Sequence, residues 1–97
     1  MKSFDIDVNS LSLSSLLARI SELYFQALKD DSDRAKDFIK RVNTAFESLN
    51  ETEKKVINND FFYEDYPFWW TSIYSKATYY RLRSKSMNDF KEAFINE

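Results

Sequence analysis

The sequence predicts an all-α fold. About five short helices make one all-α domain over 1–97, an antiparallel helical hairpin at 10–49 followed by a second helical unit at 50–97. Three observations lead there. The 97 residues contain no glycine and one proline, which removes the usual material of β-hairpins and glycine-rich phosphate loops. Apolar residues recur at steps of three and four along most of the chain, the spacing that gathers side chains on one helical face. A side chain able to cap a helix stands before each such run.

A chain this short has a limited fraction of surface to bury. Nine Phe, six Tyr and two Trp, 18% of the residues, supply bulk for a small core. The segment Met1 to Asn9 has no clear pattern and is expected to be frayed or extended. The first helix begins near Ser10 or Ser12 and turns Leu13, Leu16, Leu17, Ile20, Tyr24, Ala27 and Leu28 inward. Leu23 and Phe25 broaden that face. If they are exposed they favour a homodimer through this helix; if the chain buries them they favour a monomer. The helix is expected to stop near Asp30-Asp31, where acids sit badly against the negative helix end.

Asp31 or Ser32 caps the second helix, whose inner face is Ala35, Phe38, Ile39, Val42, Ala45, Phe46 and Leu49. The connection is only a few residues, which makes the two helices antiparallel neighbours. A capping box, Asn50-Glu51-Thr52-Glu53, opens the third helix, from which Val56, Ile57 and Phe61 point inward. Tyr63 to Tyr66 is expected to be a loop, because the residue before Pro67 is pushed out of helical geometry. Pro67 suits the first position of a short helix running to about Ile73. Seven of the ten residues from Phe61 to Trp70 are aromatic. Two readings apply to them, a core or a stacking and docking surface. The core is favoured, with one or two rings left exposed.

The last helix, about 75–95, has the sharpest start, with Ser75 as its cap. Tyr79, Leu82, Ser86, Phe90 and Ala93 fall on its inner face, and Lys76, Ala77, Tyr80, Arg81 and Ser84 on another. The net charge is −2, but its distribution is uneven. Residues 1–65 hold nine basic against thirteen acidic side chains, while 66–88 hold four basic ones (Lys76, Arg81, Arg83, Lys85) and no acid. A local basic patch on an acidic body can still attract phosphate at short range.

The run Tyr74-Ser75-Lys76-Ala77-Thr78-Tyr79-Tyr80-Arg81-Leu82-Arg83, continuing to Lys85-Ser86-Met87 and Phe90, resembles the recognition-helix segment of sigma-region-4-like helix-turn-helix proteins. It is more similar still to the phage-type ArpU family of small transcriptional regulators, in which Tyr-Ser-x-Ser-Thr-Tyr-Tyr-Arg-Leu precedes a Phe-ended helix. The spacing of Leu49, Glu53, Val56 and Ile57 also looks like the start of such a unit. The turn here, Ile73-Tyr74-Ser75, lacks the glycine such turns often contain. The resemblance implies that 50–97 is a trihelical helix-turn-helix unit and that the protein is a DNA-binding transcriptional regulator whose partner is double-stranded DNA. Lys76, Tyr80 and Arg81 would then face bases, with Arg81 placed for a bidentate contact to guanine. Ser75 with Ala77 and the first-turn amides would meet a phosphate, and Arg83 and Lys85, beside Ser84, would lie along others.

Other chemistry has little material. With no His and no Cys, the common zinc sites, disulfides and histidine acid/base catalysis are missing, so no catalytic residue, metal ligand or cofactor is expected. The acids at Asp30-Asp31-Asp33 and Glu64-Asp65 read as solvated caps and loop residues, and the first group lacks the glycine and distal glutamate of a calcium loop. No apolar run approaches the ~20 residues of a membrane span, and no basic-then-apolar leader opens the chain, so a cytoplasmic protein without membrane contact is expected. The alternative to DNA binding is a non-catalytic protein–protein interaction module that uses the acidic hairpin and the aromatic 61–70 stretch.

Overall fold

The computed structural model describes residue 4, residues 6–64 and residues 66–96. Four α-helices run α1 Leu13–Ala27, α2 Asp33–Glu47, α3 Glu51–Ile57 and α4 Lys76–Ile95, and a π-helical turn, Asn58–Phe62, continues α3. The described residues form no strand, and none of their helices is long and apolar enough to cross a membrane.

Each helix starts where a local side chain can satisfy its free amides. Ser12, Ser32 and Ser75 accept from the backbone amides of Ser15, Ala35 and Thr78. At α3 the capping box is complete: the Glu53 amide donates to Asn50 Oδ1 at 2.8 Å, and the Asn50 amide to Glu53 Oε1 at 3.1 Å. Replacing Asn50 by alanine is expected to cost about 1 kcal/mol, read as a lower urea midpoint with an unchanged denaturant slope.

The core joins Leu16, Leu17, Ile20, Leu23 and Ala27 of α1 to Ala35, Phe38, Val42 and Ala45 of α2, then to Ile57, Phe61, Met87, Phe90 and Phe94. α4 lies across the other three helices. Arg41 of α2 closes its C-terminal end, donating from Nε to the Phe94 carbonyl at 2.9 Å while its guanidinium rests 3.9 Å from the Phe94 ring centre. Ser21 donates to the Phe61 carbonyl at 2.6 Å, which satisfies a backbone acceptor at the π-helical turn.

Several expectations are corrected. Leu28, assigned to the inner face of the first helix, lies past the end of α1 and is exposed. α1 itself ends at Ala27, three residues before Asp30. The segment 1–9 is not simply frayed or extended, although residues 1–3 and 5 lie outside the described residues. Phe4 is buried and stacks on Phe38 with ring centres 5.3 Å apart, Ile6 and Val8 pack on the core, and the Ser10 amide closes a turn on the Asp7 carbonyl. Apolar side chains in a short chain find the core even without a periodic element around them.

The expected helix from Pro67 to Ile73 is a succession of tight turns. The amides of Trp69, Thr71 and Ile73 each bond the carbonyl three residues earlier, and Tyr74 bonds Trp70. Seven residues are too few to nucleate a helix unaided, and aromatic and β-branched side chains favour it weakly. Here Trp69 and Trp70 are drawn instead to partners on α3's extension and on α4. The loop expected before this segment is present at Tyr63 and Glu64; Asp65 of the Glu64-Asp65 pair lies outside the described residues. Leu23 is buried within the chain and Phe25 is half-buried against Tyr63, so the observation that favoured a dimer through α1 is not found.

Candidate nucleic-acid interface

The first half of α4 differs from the second in what covers it. From Met87 onward the helix enters the main core. Nearer its start the large buried side chain is Tyr79, which Trp70 covers face to face with ring centres 4.2 Å apart and which Trp69 meets edge-on at 6.0 Å. The aromatic 66–74 segment therefore serves as the floor under the first turns of the helix.

Asp60 fixes this arrangement. The π-helical turn aims its carboxylate at three donors: the Trp69 indole Nε1–H at 2.8 Å, the Tyr79 hydroxyl, and Arg83 Nε at 3.2 Å. Its side chain is 9% exposed, so these donors replace water for a charge that would be costly to leave unpaired. The Arg83 guanidinium also lies 5.0 Å from the Phe61 ring centre. One carboxylate thus ties the extension of α3, the turn segment and α4 together.

Burial, followed by the hydrogen bond to Asp60, pushes the Tyr79 phenol well above its ordinary pKa of 10.0. A group that holds its proton more tightly when folded contributes full stability below the unfolded pKa. That contribution falls as pH rises past the unfolded value towards the folded one. Stability is therefore expected to fall as pH rises above about 10, by up to ~1.4 kcal/mol per pH unit from this side chain. Tyr79→Phe should flatten that slope in urea titrations, since the other tyrosines remain to report any general alkaline effect.

Glu53 is the second buried acid of the region. Lys85 Nζ sits 3.0 Å from Glu53 Oε2 and 2.7 Å from Asp89 Oδ2. The hydrogen bonds to Asp89 and Glu53 raise the Lys85 ammonium above its usual range, and the neighbouring Glu53 and Lys85 side chains hold the Asp89 carboxyl below its own.

The sequence-predicted interface divides accordingly. Lys76, Ala77, Tyr80, Arg81 and Ser84 are exposed together on the first half of α4, as is the capping Ser75, whose hydroxyl is engaged with Thr78. Among the described residues neither Lys76 nor Arg81 pairs with a carboxylate, and Arg81 reaches only the Thr78 hydroxyl at 3.5 Å. Arg83 and Lys85 are both engaged with carboxylates of their own chain. Of the aromatic 61–70 stretch, Phe61 is buried and Phe62, Trp69 and Trp70 are half-buried, but Tyr63, Tyr66 and Phe68 are exposed, three rings where one or two were expected.

Asp60 escaped sequence reasoning although a signal existed. Buried Trp and Tyr need acceptors for their polar tips, and an acid immediately before an aromatic run is a ready one. Among the described residues no three acidic, histidine or cysteine side chains are grouped to hold a metal ion. Compared with protein-family models, with curated proteins and with solved structures, the chain matches none of them.

Proposed function

We propose that the protein binds duplex DNA through the exposed face of the first half of α4 and acts in transcriptional control. The single observation that carries this reading is the acid-free outward face of that half-helix, on which Lys76 and Arg81 meet no carboxylate among the described residues. An α-helix with its side chains is about 10–12 Å wide, which suits a major groove about 12 Å across. The first-turn amides at Lys76 and Ala77 are left over by helix geometry and suit a phosphate oxygen. Arg81 is the side chain for guanine, with Lys76, Tyr80 and Ser84 beside it. Arg83 and Lys85 serve by holding the helix to the body through Asp60 and Glu53. The resemblance of 74–90 to sigma-region-4-like and ArpU-type regulators supports the same reading, and a cytoplasmic setting is part of the proposal.

Fluorescence anisotropy with a duplex pool tests it. Wild-type affinity is expected to fall as salt rises, and Lys76→Ala/Arg81→Ala to lose at least about tenfold in affinity while its melting temperature is kept. No binding at low salt would remove the reading. A protein-docking module is the second reading, favoured by one specific observation: Tyr66, Phe68 and Ile73 are all exposed on one short segment. It predicts a complex with a protein partner that Lys76→Ala/Arg81→Ala leaves unchanged.

A further inference from the structure

We propose that the groove lined by Tyr66, Pro67, Phe68, Trp69 and Ser72 takes unpaired nucleobases, so that the preferred ligand is DNA with a single-stranded stretch beside the duplex held by α4. The inference rests on the duplex-binding reading for the second half of that ligand.

Tyr66 and Phe68 are 76% and 72% exposed, the highest values among the exposed large apolar side chains of the described residues. They stand two residues apart around Pro67 and, with Trp69, line an open groove of about 410 Å³. Their backbone is held. Trp69 is anchored on Asp60 and against Tyr79, and the Thr71 hydroxyl donates to the Phe68 carbonyl at 2.8 Å. Rings displayed from a fixed segment lose little freedom when a ligand stacks on them.

Charge selects the ligand that fits these rings. Among the described residues no acid lines the groove. The Lys55 ammonium lies 5.7 Å from the Trp69 ring centre, and Trp70 reaches the exposed Tyr80 beside Arg81 at 6.3 Å between ring centres. Trp69, which lines the groove, also meets Tyr79 of α4 edge-on, so the groove adjoins the first turns of that helix. Single-stranded nucleic acid presents flat bases for the rings and a phosphate chain for the cations, the two features that such platforms combine. An apolar peptide would match the rings and leave the cations without a counterpart.

The test compares three fluorescein-labelled probes by anisotropy: a blunt duplex, the same duplex with an oligothymidine overhang, and oligothymidine alone. The wild-type protein is expected to bind the tailed duplex about tenfold or more tightly than the blunt one, the size of one or two stacked bases. Tyr66→Ala/Phe68→Ala and Tyr66→Leu/Phe68→Leu should both lose that preference. Both should keep blunt-duplex affinity and melting temperature, because the altered side chains point into solvent and leucine keeps apolar bulk without a ring. Equal affinity for tailed and blunt duplex would overturn the groove proposal and leave duplex binding standing, as would a preference that survives in both variants. Binding of oligothymidine without the blunt duplex would support the groove and overturn the α4 reading. Binding of no probe would overturn both and assign the exposed rings to a protein partner.

Discussion

Asp60→Ala is expected to lower folding stability by about 3 kcal/mol. The substitution leaves the Trp69 indole, the Tyr79 hydroxyl and the Arg83 guanidinium without the acceptor they share. A buried donor deprived of its partner costs about 1–3 kcal/mol. The total stays below the simple sum because the Arg83 side chain is 25% exposed and can turn towards water. Asp60→Asn keeps one oxygen for the indole but removes the charge that answers Arg83, so a smaller loss is expected. Urea denaturation followed by tryptophan emission reads both quantities, since Trp69 and Trp70 lie in the segment that Asp60 holds. A native emission maximum shifted to the red would show that the 66–74 segment has left α4. A loss under about 1 kcal/mol with unchanged emission would show that Asp60 does not anchor the region.

Phe90→Ala is the other large effect, expected at about 3–5 kcal/mol. Phe90 is fully buried, and its ring stands between Phe62 and Phe94 at 6.4 and 6.2 Å between centres. Removing it deletes apolar contact with the π-helical turn and with the last turn of α4 at once, and it leaves a cavity that helices packed from three sides cannot close. Small domains have total stabilities of about 5–15 kcal/mol, so the variant should melt far below the wild type or fail to fold at ordinary temperature. Phe90→Leu refills most of the space and should recover more than half of the loss in the same thermal scan. Equal stability of Phe90→Ala and the wild type would mean that α4 is not docked through this ring.

The helix starts were legible because caps are local. Ser12, Ser32, Asn50 and Ser75 each act within three residues of themselves, and that distance is visible in a sequence. The inner faces of the first three helices followed from spacing for the same reason, apart from Leu28, which lies past the end of α1. α4 was read less fully: Met87 and Phe94 are buried beside the expected Phe90, because α1, α2 and α3 all pack on it and a helix covered from several sides has no single stripe. The turns at 67–73 and the bonds to Asp60 depend on partners nine to twenty-three residues away, which no local pattern encodes. For the proposed interface, the exposed face from Lys76 to Ser84 could be read from helical spacing. The engagement of Arg83 with Asp60 and of Lys85 with Glu53 could not, since each charge looks solvated until its distant acid is found.

The most direct test of the proposed interface is amide chemical-shift mapping of the intact protein titrated with a short duplex at low salt. The account predicts shifts concentrated between Ser75 and Ser84, with those of α1 and the polar face of α2 unmoved, and reversal of the shifts when salt is added. Shifts centred on α1 and α2, or none at protein-saturating duplex, would contradict it.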